Sequence, residues 1–204
     1  MHLYFKPGAC SMAAHIILNE ARAEYTLEQV DTEAGLTASG ASYAGINPRG
    51  YVPALRLADG EVITENAAVL QFLGDTFADL GLAPAAGTRA RVRLHEVLSF
   101  LSSELHVAFS PFFARPDMSA DKRAAATARL VAKLGQMAAL LSDGRPYLLG
   151  DGFTVADAYG FVILNWSNFI GVSLEAWPDL TAFLARVGAR GSVQDTLRQE
   201  GLAA

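Results

Sequence analysis

The chain has 204 residues, 16 basic and 21 acidic side chains, and a single cysteine. A chain of this size makes one large domain or two small ones, and it can bury about 70% of its unfolded surface without a disulfide or metal staple. With Cys10 alone, an intramolecular disulfide and a cysteine-built metal centre are excluded, and the net charge of −5 argues against nucleic acid as a partner. The ordinary composition also excludes collagen-like and disordered chains. No apolar run approaches the ~20 residues of a membrane span, and Lys6 and Pro7 interrupt what would be the core of a signal peptide. The expectation is a soluble cytoplasmic protein that holds no metal.

His2–Phe5 is an aromatic and aliphatic run stopped by Pro7-Gly8, which predicts a buried strand ending in a turn. Residues 10–21 then follow helical spacing, with Met12 and Ile16 along one line. Residues 25–30 alternate and predict a second strand. Residues 31–47 are rich in glycine, serine and threonine, and predict a long loop with a short helix. Residues 52–57 and 61–63 flank Asp59-Gly60, a tight-turn signal for a hairpin. Thr64-Glu65-Asn66 opens a helix through Val69, Leu70, Leu73 and Phe77. The order is β-α-β-α-β-β-α over about 80 residues, an α/β unit assigned to residues 1–80.

Beyond a linker at residues 79–86 the pattern changes. Residues 87–113, 120–142, 154–170 and 179–190 carry helical spacing with no convincing strand, so residues 87–204 are expected to be all-helical. Charge divides the same way. Residues 1–80 hold 4 basic and 10 acidic side chains, net −6, and the remainder hold 12 and 11, net +1.

Cys10 follows a strand and turn at the start of a helix, where free N–H groups and the helix dipole favour an anion. A thiolate there is more accessible than the ordinary thiol pKa of about 8.5 implies. The alternative is a small buried hydrophobe. Ser11 suits either a donor to the neighbouring sulfur or a plain helix start, and no Cys-x-x-Cys pair exists for dithiol chemistry. Val52-Pro53 at a strand entry suits a cis bond that turns the Val52 backbone outward towards a peptide-like ligand, or an ordinary edge proline. Asn66 and the N–H groups beside it can hold a carboxylate and Glu65 can face an ammonium, or Thr64 simply caps the helix. Ser99, Ser103 and His106 lie at i, i+4 and i+7 and are expected to share one helix face. Thr154-Val155-Ala156-Asp157 is a capping box assigned to folding.

Together these features resemble a thioredoxin fold followed by an all-α domain, the glutathione S-transferase arrangement. PGACSMAAHI (7–16), INPRGYVPAL (46–55), TENAAVLQFL (64–73), SSELHVAFSP (102–111) and GDGFTVADAY (150–159) resemble the bacterial beta class, the cysteine type, along nearly the full chain. The resemblance implies a homodimeric enzyme with glutathione as co-substrate and no permanent cofactor. It would conjugate glutathione to small apolar electrophiles in detoxification or aromatic catabolism. Cys10, Ser11 and His106 become catalytic; Val52, Pro53, Glu65, Asn66, Ser99 and Ser103 become glutathione-binding. Phe109, Phe113 and Trp166 become the electrophile pocket. His2, His15 and His95 have no such match and are taken as structural or surface groups. The chain departs from the family at Gly35 and Val107, where lysines are frequent, and at Asn66, where a smaller residue is common. Ser99 stands where an asparagine often reaches the partner subunit's ligand. The competing readings are a monothiol oxidoreductase or reductive dehalogenase acting through Cys10, and a non-enzymatic carrier of apolar ligands.

Overall fold

The structure is a computed structural model describing residues 1–114 and 117–202. Five strands form one sheet in the order β3-β2-β1-β4-β5. They are β1 (His2–Phe5), β2 (Thr26–Asp31), β3 (Leu36–Thr37), β4 (Ala54–Arg56) and β5 (Val62–Thr64). β1 and β2 are parallel, because the helix α1 (Met12–Glu20) crosses between them, and the other pairs are antiparallel. Alternate residues of β1 point to opposite faces. Leu3 and Phe5 join the main core, and Tyr4 joins a smaller cluster with Val30, Tyr43, Val52 and Ala54.

The register decides where a ligand can lie. Tyr4 pairs with Ala54, and Ala54 pairs with Thr64. The C-terminal ends of β1, β2 and β5 and the N-terminal end of β4 therefore meet along one edge of the sheet. Lys6, Thr32, Val52-Pro53 and Glu65 adjoin those strand ends.

Beyond β5 the chain is helical. α2 (Asn66–Thr76) leads through a 3₁₀ turn at Ala78–Leu80 to α3 (Arg89–Phe100), a π-turn at Leu101–Leu105 and α4 (His106–Ala114). α5 (Ala120–Ala139), α6 (Val155–Asn165), α7 (Ser167–Ile170), α8 (Pro178–Gly188) and α9 (Gly191–Gln199) complete it. The continuous helix from Arg89 to Ala114 has the length and hydropathy of a membrane span. Its buried stripe of Leu94, Val97, Leu98, Leu101 and Leu105 accounts for that hydropathy within the protein core. α6 is buried along nearly its whole length and packs on α1, so the sheet unit and the helices share one core. The segment between them is docked: Leu82 is 2% exposed and its carbonyl accepts the Val155 N–H at 3.0 Å.

Several elements differ from expectation. α1 begins at Met12, leaving Cys10 in the preceding turn. The loop at residues 31–47 contains β3, whose Leu36 and Thr37 pair with Asp31 and Val30. Thr64 ends β5 and accepts from Arg49 at 3.2 Å, so it does not cap α2. α9 is too polar to stand out in the sequence; it packs on α1, and Asn19 donates to Thr196 at 2.8 Å. The capping box forms as expected: Asp157 accepts the N–H and hydroxyl of Thr154, each at 2.7 Å, and also the Leu148 N–H. Burial pushes its carboxyl up to about 6 despite those donors.

Candidate active site

The turn carrying Cys10 is held from three sides. Gly8, at φ +70°, donates its N–H to Glu200 at 2.9 Å, and its carbonyl accepts the Trp166 indole N–H at 2.8 Å. Glu200 is itself held by the buried His15 at 2.9 Å. Ser11 is fully buried and exchanges hydrogen bonds with the Lys6 backbone at 3.2 and 3.3 Å. Its hydroxyl braces the turn and does not face the cleft, which corrects the expectation that it serves the sulfur. What Ser11 does offer the sulfur is its backbone N–H.

Cys10 donates its thiol to the Val52 carbonyl at 3.3 Å, across a cis Val52–Pro53 bond. Burial pushes the thiol up to about 12, against the favourable N–H groups of Cys10 and Ser11. Burial thus works against the thiolate that the helix start favours, although the residue is only partly buried and reaches the cleft.

Cys10 opens on a cleft of about 470 Å³ together with Val52, Pro53, Glu65, Asn66, His106 and Tyr159. Asn66 is 8% exposed, and neither its amide nitrogen nor its oxygen has a hydrogen-bond partner. A buried amide left without a partner costs about 1–3 kcal/mol, so the cleft is built for a polar occupant. Glu65, at φ +69°, projects at its rim with Arg49 3.7 Å away.

His106 places Nδ1 2.9 Å from the hydroxyl of Tyr159, which is 1% exposed. Burial raises the Tyr159 phenol and lowers the His106 imidazole, so both are neutral at pH 7. Asn66 approaches the same hydroxyl without a hydrogen bond of normal geometry. A buried phenol whose one good partner is Nδ1 donates its proton there. This assigns the ring the Nε2–H tautomer, leaving Nε2 as a donor for the cleft.

The cleft continues into an apolar pocket of about 390 Å³ that shares Cys10 and His106 and adds Phe113, Trp166, Phe169 and Leu202. Trp166 stands edge-on to His106, Phe109 and Phe113, with ring centres 4.8, 5.8 and 5.5 Å apart. Phe109 itself is fully buried behind Trp166, so it belongs to the core rather than the pocket. Ser99 and Ser103 also lie outside the cleft wall: both are exposed, and the Ser103 hydroxyl donates to the Ser99 carbonyl at 2.8 Å. The π-turn at Leu101–Leu105 breaks the assumed i, i+4, i+7 phase and brings Ser102 to the cleft with His106. Val107 lines the cleft without charge, and Gly35 sits in a turn at φ +69°.

Family models for the glutathione S-transferase N-terminal and C-terminal domains match residues 8–76 and 100–190. Glutathione S-transferase GstA of Escherichia coli O157:H7 is 39% identical over 99% of this chain and 100% of its own. The chain belongs to the glutathione S-transferase family. Among solved structures, the ternary complex of the bacterial transferase BphK superposes on this transferase with a TM-score of 0.95 at 48% identity, covering 99% of this chain and 100% of that one. The beta-class enzyme of Sphingomonas chungbukensis gives 0.94 at 41% identity, covering both chains in full. The thioredoxin-like unit and helical second half of this transferase are thus those of its family.

The sequence missed Lys6, Thr32, Ser102 and the role of Tyr159 in the cleft wall. Lys6 and Thr32 lie directly beyond the C-terminal ends of β1 and β2, where open α/β sheets bind ligands, and that placement was a usable signal. Tyr159 reads in sequence as one more core ring.

Proposed function

We propose that this transferase conjugates the thiol of glutathione to small apolar electrophiles, with catalysis at Cys10 and His106. One observation carries the reading: the Cys10 sulfur, the His106 ring and the orphaned amide of Asn66 open on one cleft, which continues into a pocket walled by Phe113 and Trp166. The γ-glutamyl end of glutathione pairs with Asn66 and places its ammonium near Glu65. Its cysteinyl N–H donates to the Val52 carbonyl, displacing the Cys10 thiol that now occupies it. The released S–H then donates to the glutathione sulfur, joined by the Cys10 and Ser11 N–H groups and by His106 Nε2–H. These donors favour the thiolate, whose proton leaves to solvent. The thiolate forms a bond to the electrophilic carbon, and a halide leaves with the bonding pair. Holding the two reactants together supplies much of the acceleration.

A protonated Cys10 also weighs against the redox reading, which needs Cys10 as thiolate. The test is glutathione-dependent conjugation to an activated aryl halide. Saturable turnover is expected. Absence of both turnover and glutathione binding removes the reading, and tight binding of apolar compounds without turnover replaces it with a carrier.

We further propose a cytoplasmic homodimer. Support comes from the exposed Val92 on the Arg89–Ala114 helix, the opposed charges of the two halves, and a single cysteine with no disulfide partner in the chain. Sedimentation at micromolar concentration is expected to give twice the chain mass of 21.7 kDa.

A further inference from the structure

Glutathione carries two carboxylates and one ammonium, yet the sheet unit has net charge −6 and lacks lysine at position 35, as does the helical half at 107. The cleft nevertheless holds a cation. Among the described residues lining it, Lys6 is the only lysine or arginine. Its ammonium donates to the Thr32 hydroxyl at 3.2 Å. Its carboxylate neighbours are Glu33, 3.9 Å away and 91% exposed, and the exposed Asp31, whose carboxyl it helps to hold down; solvent screens both pairings, so the ammonium remains able to meet a ligand carboxylate.

The placement is set by the sheet. Glu65 comes just after β5, Val52-Pro53 just before β4, and Lys6 just after β1, all at one edge and in that order. Neighbouring strands are about 4.8 Å apart, so β5 and β1 are separated by roughly 10 Å. An extended tripeptide spans about 10 Å. A glutathione with its γ-glutamyl end at Asn66 and its cysteine at Val52 therefore reaches β1 with its glycine. We propose that Lys6, held by Thr32, binds the glycyl carboxylate of glutathione and supplies the positive charge that positions 35 and 107 do not. This rests on the proposed glutathione transfer and adds the recognition of one end of the ligand. Lys6 also borders the apolar pocket, so its stem forms the wall between the two substrates.

The test compares glutathione with its glycyl monoethyl ester, which is neutral at that end, on the wild-type protein, Lys6→Met and Lys6→Arg. Calorimetric Kd is measured alongside KM, so the result does not depend on turnover. In the wild type, esterification is expected to weaken binding about tenfold. Lys6→Met should weaken glutathione by a similar factor, with the loss falling on KM rather than kcat, and should bind ester and acid within about twofold of each other. Lys6→Arg should recover part of the loss. If Lys6→Met binds glutathione as the wild type does, or still discriminates tenfold against the ester, Lys6 does not hold this carboxylate, while the transferase reading stands. If the wild type binds neither compound, the transferase reading falls and this inference with it.

Discussion

Tyr159→Phe removes one oxygen from the cleft and tests whether His106 acts in a single tautomer. The hydroxyl is 1% exposed and lies 2.9 Å from His106 Nδ1, so its loss leaves that nitrogen without a protein partner. A net hydrogen bond is worth about 1 kcal/mol, and an abandoned buried acceptor adds to that, giving a destabilisation of about 1–2 kcal/mol. For a protein of this size that is a fall in Tm of about 3–6 °C. The ring keeps its packing against Trp166, with centres 4.8 Å apart, so it stays near the cleft while its proton is no longer confined to Nε2. The expected loss is about tenfold in kcat, equivalent to about 1.4 kcal/mol of transition-state stabilisation, with KM for glutathione little changed. The assay is steady-state conjugation with both substrates varied, repeated in a His106→Asn background. A residue that acts only through His106 costs nothing further there. Equal tenfold losses in both backgrounds would mean that Tyr159 meets the substrate itself. No loss in either would refute the tautomer assignment.

The same geometry fixes other outcomes. Because burial holds the Cys10 thiol near 12, its alkylation by iodoacetamide at pH 8 should be at least about a hundredfold slower than that of free cysteine; labelling at the free rate would contradict the raised pKa. Phe109→Ala should cost about 3–5 kcal/mol in urea denaturation, as a core truncation, with no selective change in electrophile KM. Phe113→Ala, at a residue 50% exposed, should leave stability within about 1 kcal/mol and raise electrophile KM severalfold, and the reverse pattern would restore Phe109 to the pocket. Asp157→Ala strips the acceptor from two buried N–H groups and one hydroxyl, and thermal melting should show a loss of about 2–4 kcal/mol. His106 contributes to the pH dependence of stability. Its folded pKa lies below the unfolded value of about 6.5, so the unfolded chain takes up the proton first and stability falls as pH drops below 6.5. This component should be absent from His106→Asn.

Local signals in the sequence carried most of the fold. Pro7-Gly8, Asp59-Gly60 and the spacing of α2 placed their elements within a few residues, because turns and amphipathic stripes are set by neighbouring side chains. β3 escaped notice because two residues have no periodicity, and its pairing depends on β2. α9 escaped because its support comes from α1, far away in the chain. The place of Cys10 at a helix start is legible in the sequence, but its burial is not, because burial is set by segments far along the chain that pack around the turn, one of them the strand entry at Val52, whose carbonyl takes the thiol proton. Asn66 stood out as a departure from the family; only packing reveals that both its polar atoms lack partners.

The π-turn explains why the helix at residues 89–114 could not be read by phase. An added residue in a turn rotates the residues after it by about 100° relative to those before it. On an unbroken α-helix Ser99, Ser103 and His106 face together; across Leu101–Leu105 Ser103 stays with Ser99 on the exposed side while His106 turns into the cleft with Ser102 as its neighbour. Ser99 is turned to the outer surface, exposed and away from the cleft of its own chain. In the proposed homodimer that surface is where a second copy has to pack if position 99 is to reach the partner's glutathione, as the family resemblance implies. One helix would then serve two clefts, its own through His106 and the partner's through Ser99, because the wide turn between them directs side chains seven residues apart to different sides of the helix.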